Sequence, residues 1–129
     1  MHIATAQGLL DSYPDSSLDH ICTRIAKYYK SCMKDMGGRA PGGTCIRGVN
    51  ALKKDGSNWM ELGFAKNAGG CGASMRAACI GLYFYNNMEM LMQVSIESGR
   101  ITHHNPLGYL GSFVAALFTA FAIQGKAPR

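Results

Sequence analysis

Acidic residues are few and scattered in this sequence. Its 129 residues hold eight, Asp11, Asp15, Asp19, Asp35, Asp55, Glu61, Glu89 and Glu97, and no two are adjacent. There is no Asp-x-Asp pair and no His-Glu-x-x-His spacing. Neither metal ligands nor paired catalytic carboxylates are therefore expected to assemble from this chain alone. Asp11, Asp15 and Asp19 recur every fourth residue, but two of them fall in a turn, where capping accounts for them. The five cysteines (22, 32, 45, 71 and 79) are odd in number and include no Cys-x-x-Cys pair. That pattern excludes a closed disulfide framework and a zinc site, and leads to free thiols in a reducing compartment. No signal-like segment opens the sequence, so a cytoplasmic location is expected. The one extended uncharged run, 107–123, includes Gly108, Gly111, Ser112 and Thr119. It falls short of about 20 apolar residues, so a core helix is expected there and no contact with a membrane. Strand-like alternation and internal repeats are also missing, and the expected fold class is all-α.

Apolar residues, by contrast, make up 47% of the chain, beside sixteen glycines and eight methionines, which suits close-packed helices with adaptable fillers. A chain of this length fits one domain with a sizeable core. The net charge is +5 and the pI about 9.1. The basic residues are spread out, and only Arg24, Lys27, Lys30 and Lys34 form a stripe at helical spacing. A solvated helix face explains that stripe, and nucleic acid is not expected as a partner.

Periodicity divides the chain into helices. Residues 1–12 read as a helix with Ile3, Ala6 and Leu10 on one face and no capping residue ahead of it. A turn at 13–17 offers Asp15 or Ser16 as the next cap. Leu18, Ile21, Cys22, Ile25, Tyr29, Cys32 and Met36 then give the strongest amphipathic pattern, which Gly37-Gly38 is expected to end. Residues 39–44 read as a loop and 45–52 as a short helix. A polar irregular segment follows over 53–66, pinned to the body by Trp59. A helix is expected over about 70–84, burying Met75, Cys79 and Leu82, and Tyr85-Asn86-Asn87 interrupts it. Residues 88–98 are apolar nearly all round and predict a central buried helix. The last helix, about 107–124, has a large stripe (Leu110, Phe113, Val114, Leu117, Phe118, Phe121) and a small one (Gly108, Gly111 or Ser112, Ala115, Thr119, Ala122). Two packing faces predict an interior helix.

Chemistry concentrates in two glycine- and histidine-bearing blocks. Gly69-Gly70-Cys71-Gly72 runs into the helix expected from residue 70. Backbone N–H groups of a glycine loop at a helix start suit an anion, although a tight connection has the same look. The second block is Thr102-His103-His104-Asn105-Pro106, a turn that opens the last helix. A histidine there can face a pocket as a donor to phosphate or ribose, or simply satisfy the turn. Arg76, one turn past the glycines, can serve a salt bridge or an anion.

Three ordered blocks then carry a resemblance: Arg-Ala-Pro-Gly-Gly at 39–43, Gly-Gly-Cys-Gly-Ala-Ser-Met-Arg-Ala at 69–77, and Val-Ser-Ile-Glu-Ser-Gly-Arg-Ile-Thr-His-His at 94–104. With Pro106, Gly108-Tyr109-Leu110-Gly111 and 116–120, they resemble the ADP-ribosylarginine hydrolases over nearly the whole chain. The resemblance implies an orthogonal multi-helix bundle and a magnesium-dependent hydrolase. Such an enzyme splits the N-glycosidic bond of ADP-ribosyl-arginine on proteins and releases ADP-ribose. It implies that Gly42, Gly43, Thr44, Gly69, Gly70, Cys71, Gly72, His103, His104 and Asn105 line the ADP-ribose site. The family commonly has histidine where Asn105 stands. Its two magnesium ions are held by an Asp-Asp-Thr motif and an Asp-Ser-Asp-Ser type motif, and neither occurs here. By that comparison residues 1–129 form a single partial domain, an internal portion with no catalytic or metal-binding residue of its own. Two alternatives are a catalytically inactive relative that binds or scaffolds, and a short helical interaction module whose exposed apolar surface promotes association.

Overall fold

The computed structural model describes residues 1–15 and 17–127. Those residues form six α-helices and no strand: α1 (His2–Asp11), α2 (Leu18–Cys32), α3 (Gly43–Ala51), α4 (Ala78–Tyr83), α5 (Met88–Arg100) and α6 (Pro106–Ile123). The all-α expectation holds. The most extensive packing is between α5 and α6, between α1 and α2, and between α4 and α6. One core joins them through Leu9, Ile21, Ile25, Tyr29, Ile80, Leu91, Val94 and Ile101.

The amphipathic stripe of α2 faces this core as expected, with Ile21, Cys22, Ile25 and Tyr29 buried. The helix begins one residue after the expected caps. Ser17 is the cap and accepts from the His20 N–H at 3.3 Å, while Asp15 accepts from the Ser17 N–H at 2.9 Å. Ser16 lies outside the described residues. The helix also ends at Cys32, well before Gly37-Gly38. Its last turn tightens through a Lys34 N–H to Ser31 carbonyl bond, and Gly38, at φ +72°, serves the following turn instead. Lys30 leaves the expected solvated stripe to donate to the carbonyls of Val49 (3.0 Å) and Asn50 (3.2 Å) at the end of α3. A cation there complements the helix dipole.

Three buried faces differ from the sequence expectation, and close backbone approach explains two of them. On α1 the buried residues are Ala4, Thr5, Gly8 and Leu9, while Ile3 is 73% exposed and Leu10 also faces out. A Cβ on Gly8 would lie 2.6 Å from the Ile25 Cα, so the small face is the one that meets α2. On α6 a row of small residues packs inward, Gly108, Ser112, Ala116 and Ala120; of the expected small stripe Ala115 and Thr119 are only partly buried and Ala122 is exposed. Gly81 of α4 sits against the Ala116 carbonyl with no room for a side chain. The large stripe is split: Leu110, Val114 and Phe118 are about half exposed, while Phe113 and Leu117 pack against the core; Leu107, ahead of the stripe, is 80% exposed. By length and composition α6 is the one helix among the described residues long enough and apolar enough to cross a bilayer. The third difference is α5, which is one-sided: Leu91, Val94, Ser95, Ser98 and Gly99 are buried, while Met88 and Met92 are exposed.

The segment 53–66 is irregular as expected, and Trp59 pins it, donating from Nε1 to Asp19 at 3.1 Å.

Candidate functional site

The glycine block at 69–72 does not enter a helix directly. A single 3-10 turn over Ser74–Arg76 comes first, and α4 starts only at Ala78. Met75 is 74% exposed and Leu82 also faces out; of the three residues expected to be buried here, only Cys79 is. For Met75 the reason is Arg76. Its guanidinium takes the interior position beside Met75, and on α4 it is Gly81, packed against α6, that leaves Leu82 on the outer side.

The helix start that does face a cavity belongs to α3. That helix begins at Gly43, two residues earlier than expected, with Gly42 as a cap that offers no side-chain hydrogen bond. Its first N–H groups, on Gly43, Thr44 and Cys45, have no carbonyl within the helix to satisfy them. They stand at the wall of a cavity of about 620 Å³. Gly42, Gly43, Thr44, Gly70, Cys71, Gly72 and His103 all line it, so seven of the ten residues singled out in the sequence come together. Arg39 and Arg76 also line it, and no Asp or Glu does. Bare backbone donors and a helix N-terminus, with no carboxylate in the lining, suit an anion; Arg39 is paired with the exposed Asp35 carboxylate at 3.0 Å, and Arg76 adds its charge from behind the wall.

Close approach builds this wall. A Cβ on Gly72 would fall 2.7 Å from the His103 Cε1 and 3.1 Å from the Cys45 Sγ. A Cβ on Gly48 would fall 2.5 Å from the Thr102 Cα, so α3 lies directly against the segment that carries His103.

The remaining three residues are used elsewhere. Gly69 sits beside Asn105 and Leu107, outside the cavity lining. His104 points away from its neighbour, its Nδ1 at 2.6 Å from the Leu62 carbonyl and its Nε2 accepting from Arg100 Nε at 3.1 Å. It lines a second cavity of about 500 Å³ with Arg47, Lys66 and Arg100. Asn105 caps α6, accepting from the Leu107 N–H at 3.1 Å, and donates to the Lys66 carbonyl at 3.0 Å. These three do not line the glycine-walled cavity: the side chains of His103 and His104 diverge, and Asn105 caps α6.

Behind the cavity lies a polar cluster that the sequence reading missed. Arg76, only 2% exposed, donates from Nε to the Tyr29 hydroxyl (2.7 Å). Its Nη2 donates to the Ser98 carbonyl (2.9 Å) and to Thr102 Oγ1 (2.8 Å). It also stacks on the Tyr29 ring, 4.5 Å from the centroid. Thus neither a salt bridge nor direct anion contact explains most of its bonding. Thr102 in turn lies 2.8 Å from His103 Nδ1. Burial, and secondly the Arg76 charge, hold His103 below the ordinary imidazole range, at about 4. Burial raises the Tyr29 phenol. The available signal was a tyrosine and a threonine placed on otherwise apolar positions beside a chemistry-bearing block.

Carboxylates do not converge. Among the described residues no three His, Cys, Asp or Glu side chains come close enough to hold a metal ion. The magnesium pair implied by the sequence resemblance therefore does not fit the groups present.

The described residues form an all-helical fold with a glycine-walled cavity. The sequence model of the ADP-ribosylglycohydrolase family matches residues 1–129, and the chain belongs to that family. It is 43% identical over 136 aligned positions to the ADP-ribosylhydrolase ARH1 of Dictyostelium discoideum, an alignment covering all of this chain and 34% of the relative. It is 28% identical over 129 positions to a protein of Acanthamoeba polyphaga mimivirus provisionally named ADP-ribosyl glycohydrolase L444, covering 96% of this chain and 25% of the relative. The chain thus spans between a quarter and about a third of the length of these curated relatives.

Proposed function

We propose that this chain carries the ADP-ribose-holding part of a hydrolase that removes ADP-ribose from modified arginine on proteins. The observation that supports this reading most directly is the cavity itself. Bare N–H groups at the α3 start and the glycines at 70–72 converge, with Arg39, Arg76 and His103, on one space without a carboxylate. A diphosphate matches that wall: its oxygens accept from backbone donors, while Arg76 adds positive charge from behind it. A ribose hydroxyl can use the remaining donors. The partners are accordingly ADP-ribose and ADP-ribosyl-arginine on proteins in the cytoplasm, with neither nucleic acid nor membrane involved.

Hydrolysis is a different matter. Magnesium, when bound, would supply the positioning of ribose and water, and among the described residues no carboxylate cluster forms to hold it. The role assigned to these residues is therefore to bind and orient, and no hydrolytic step is derived from them.

Titration calorimetry with ADP-ribose tests the binding role, with AMP and free ribose as the controls that lack the diphosphate link. Saturable binding of ADP-ribose that AMP does not reproduce is expected. Equal or absent binding of all three would sink the reading. Release of ADP-ribose from ADP-ribosyl-arginine in magnesium, with and without a chelator, tests the second part. No turnover is expected, and chelator-sensitive turnover would show that this chain holds metal ligands after all.

A further inference from the structure

The polar cluster behind the cavity has a direction built into it. A guanidinium carries five donors and no acceptor, and it stays charged in any folded protein. Arg76 has no carboxylate bonded to it among the described residues. Every group it touches must therefore accept. Tyr29 accepts from Nε at its oxygen, which leaves the phenol proton for Thr5 Oγ1 at 2.9 Å. Thr5 then donates to the Met1 carbonyl at 3.1 Å. On the other side Thr102 Oγ1 accepts from Nη2 and still has one proton to give. Its one other hydrogen-bond partner is Nδ1 of His103. An Nδ1 that accepts carries no proton, so the proton of the neutral ring sits on Nε2. Nε2 makes no hydrogen bond among the described residues and lies on the cavity side, near Gly70 and Gly72.

We propose that Arg76 and Thr102 are positioning residues that hold His103 as the neutral Nε2–H tautomer, so that the ring offers the cavity a hydrogen-bond donor instead of a base. The depressed imidazole basicity agrees with this. The titratable and charged groups sharing the cavity are those of Met1 (its amino group), His2, Arg39, Cys45, Cys71 and Arg76, with no Asp or Glu to draw a second proton onto the ring. The identity of the oxygen that accepts rests on the ADP-ribose reading above. A phosphate or ribose oxygen accepts from Nε2–H without any change of protonation near neutral pH.

Long-range proton–nitrogen correlation spectra of the 129-residue chain read the tautomer directly, with His103 identified by its loss in His103→Asn. The expected spectrum has a protonated Nε2 and an unprotonated Nδ1, unchanged from about pH 7 to about pH 5.5. A protonated Nδ1, or an imidazolium near pH 7, overturns the proposal, and this arm needs no variant to fold. Thr102→Val removes the donor, so the ring should shift toward Nδ1–H, whereas Thr102→Ser should keep the Nε2–H signature. An unchanged ring in Thr102→Val overturns the roles of Thr102 and Arg76. ADP-ribose affinity should fall about tenfold in the valine variant and stay within about twofold in the serine variant. A wild-type chain that shows the Nε2–H signature but does not bind ADP-ribose overturns the functional reading and leaves the tautomer assignment standing.

Discussion

His103 and His104 are joined by one peptide bond and lie in different surroundings. His103 is buried at 2% exposure, leans on Thr102 and Arg76, and presents Nε2 to the glycine-walled cavity. His104 is half-buried, and both ring nitrogens are tied to protein groups, the Leu62 carbonyl and Arg100. One imidazole has a free edge for a ligand, and the other is a strut between α5 and the irregular 53–66 segment. In the turn between α5 and α6, adjacent side chains point to opposite sides, so the hydrogen-bond partners decide which histidine is available.

The largest effect that would disturb this contrast is loss of the cluster behind His103. Arg76→Met leaves the Tyr29 hydroxyl, the Ser98 carbonyl and Thr102 without their donor in the interior. A loss of about 3 kcal/mol is expected from denaturant titration. A loss below about 1 kcal/mol would mean that water or repacking replaces the guanidinium easily.

Gly72→Ala is next. The added methyl meets the His103 ring and Cys45 Sγ, and overpacking of this kind costs roughly 2 kcal/mol. It should also abolish ADP-ribose binding in calorimetry, because the ring must move out of the wall. Retained affinity would show that His103 gives way without consequence.

Acid separates the two histidines more gently. The His103 imidazole is depressed to about 4 in the folded chain, below the roughly 6.5 of an unfolded one. Between those values the unfolded state binds more protons, so stability is full above about pH 6.5 and declines as pH falls toward 4. Urea titrations across that window should show the decline, and His103→Asn should flatten it. An identical slope in that variant would assign the decline to other groups.

The smallest effect is expected at the strut. His104→Ala breaks two hydrogen bonds at a partly exposed position and should lower stability by about 1 kcal/mol, with ADP-ribose affinity unchanged. A large loss of affinity instead would return His104 to the binding site and erase the contrast.

Much of this was legible in the residues. The stripe of α2, the Trp59 anchor, the break at 85–87 and the all-α class follow from periodicity and punctuation, which act locally. Three family blocks in order pointed to the residues that meet at the cavity. Less legible were the faces. Ile3 and Leu10 outvoted Ala4 and Gly8 by hydrophobicity, yet helix–helix distance is set by the smaller residues. On α6 small residues were expected to pack, but the inward row is offset, with Ala116 and Ala120 buried and Ala122 exposed. Burial of Arg76 was hidden too, because a charged residue is assigned to the surface until its partners are known, and Tyr29, Ser98 and Thr102 lie 22 to 47 residues away.

The sequence by itself determined which segments are helical, how few carboxylates there are to hold a metal, and which glycines and histidines carry the family's pattern. Spacing and composition are enough for those. Only the tertiary structure decided that α3, and not the glycine block at 69–72, supplies the helix start at the cavity. It also decided that His103 faces that cavity while His104 braces a loop, and that an arginine without a carboxylate sits behind them. Those outcomes depend on which groups can satisfy a buried donor or acceptor across long sequence separations, a constraint that no local pattern records.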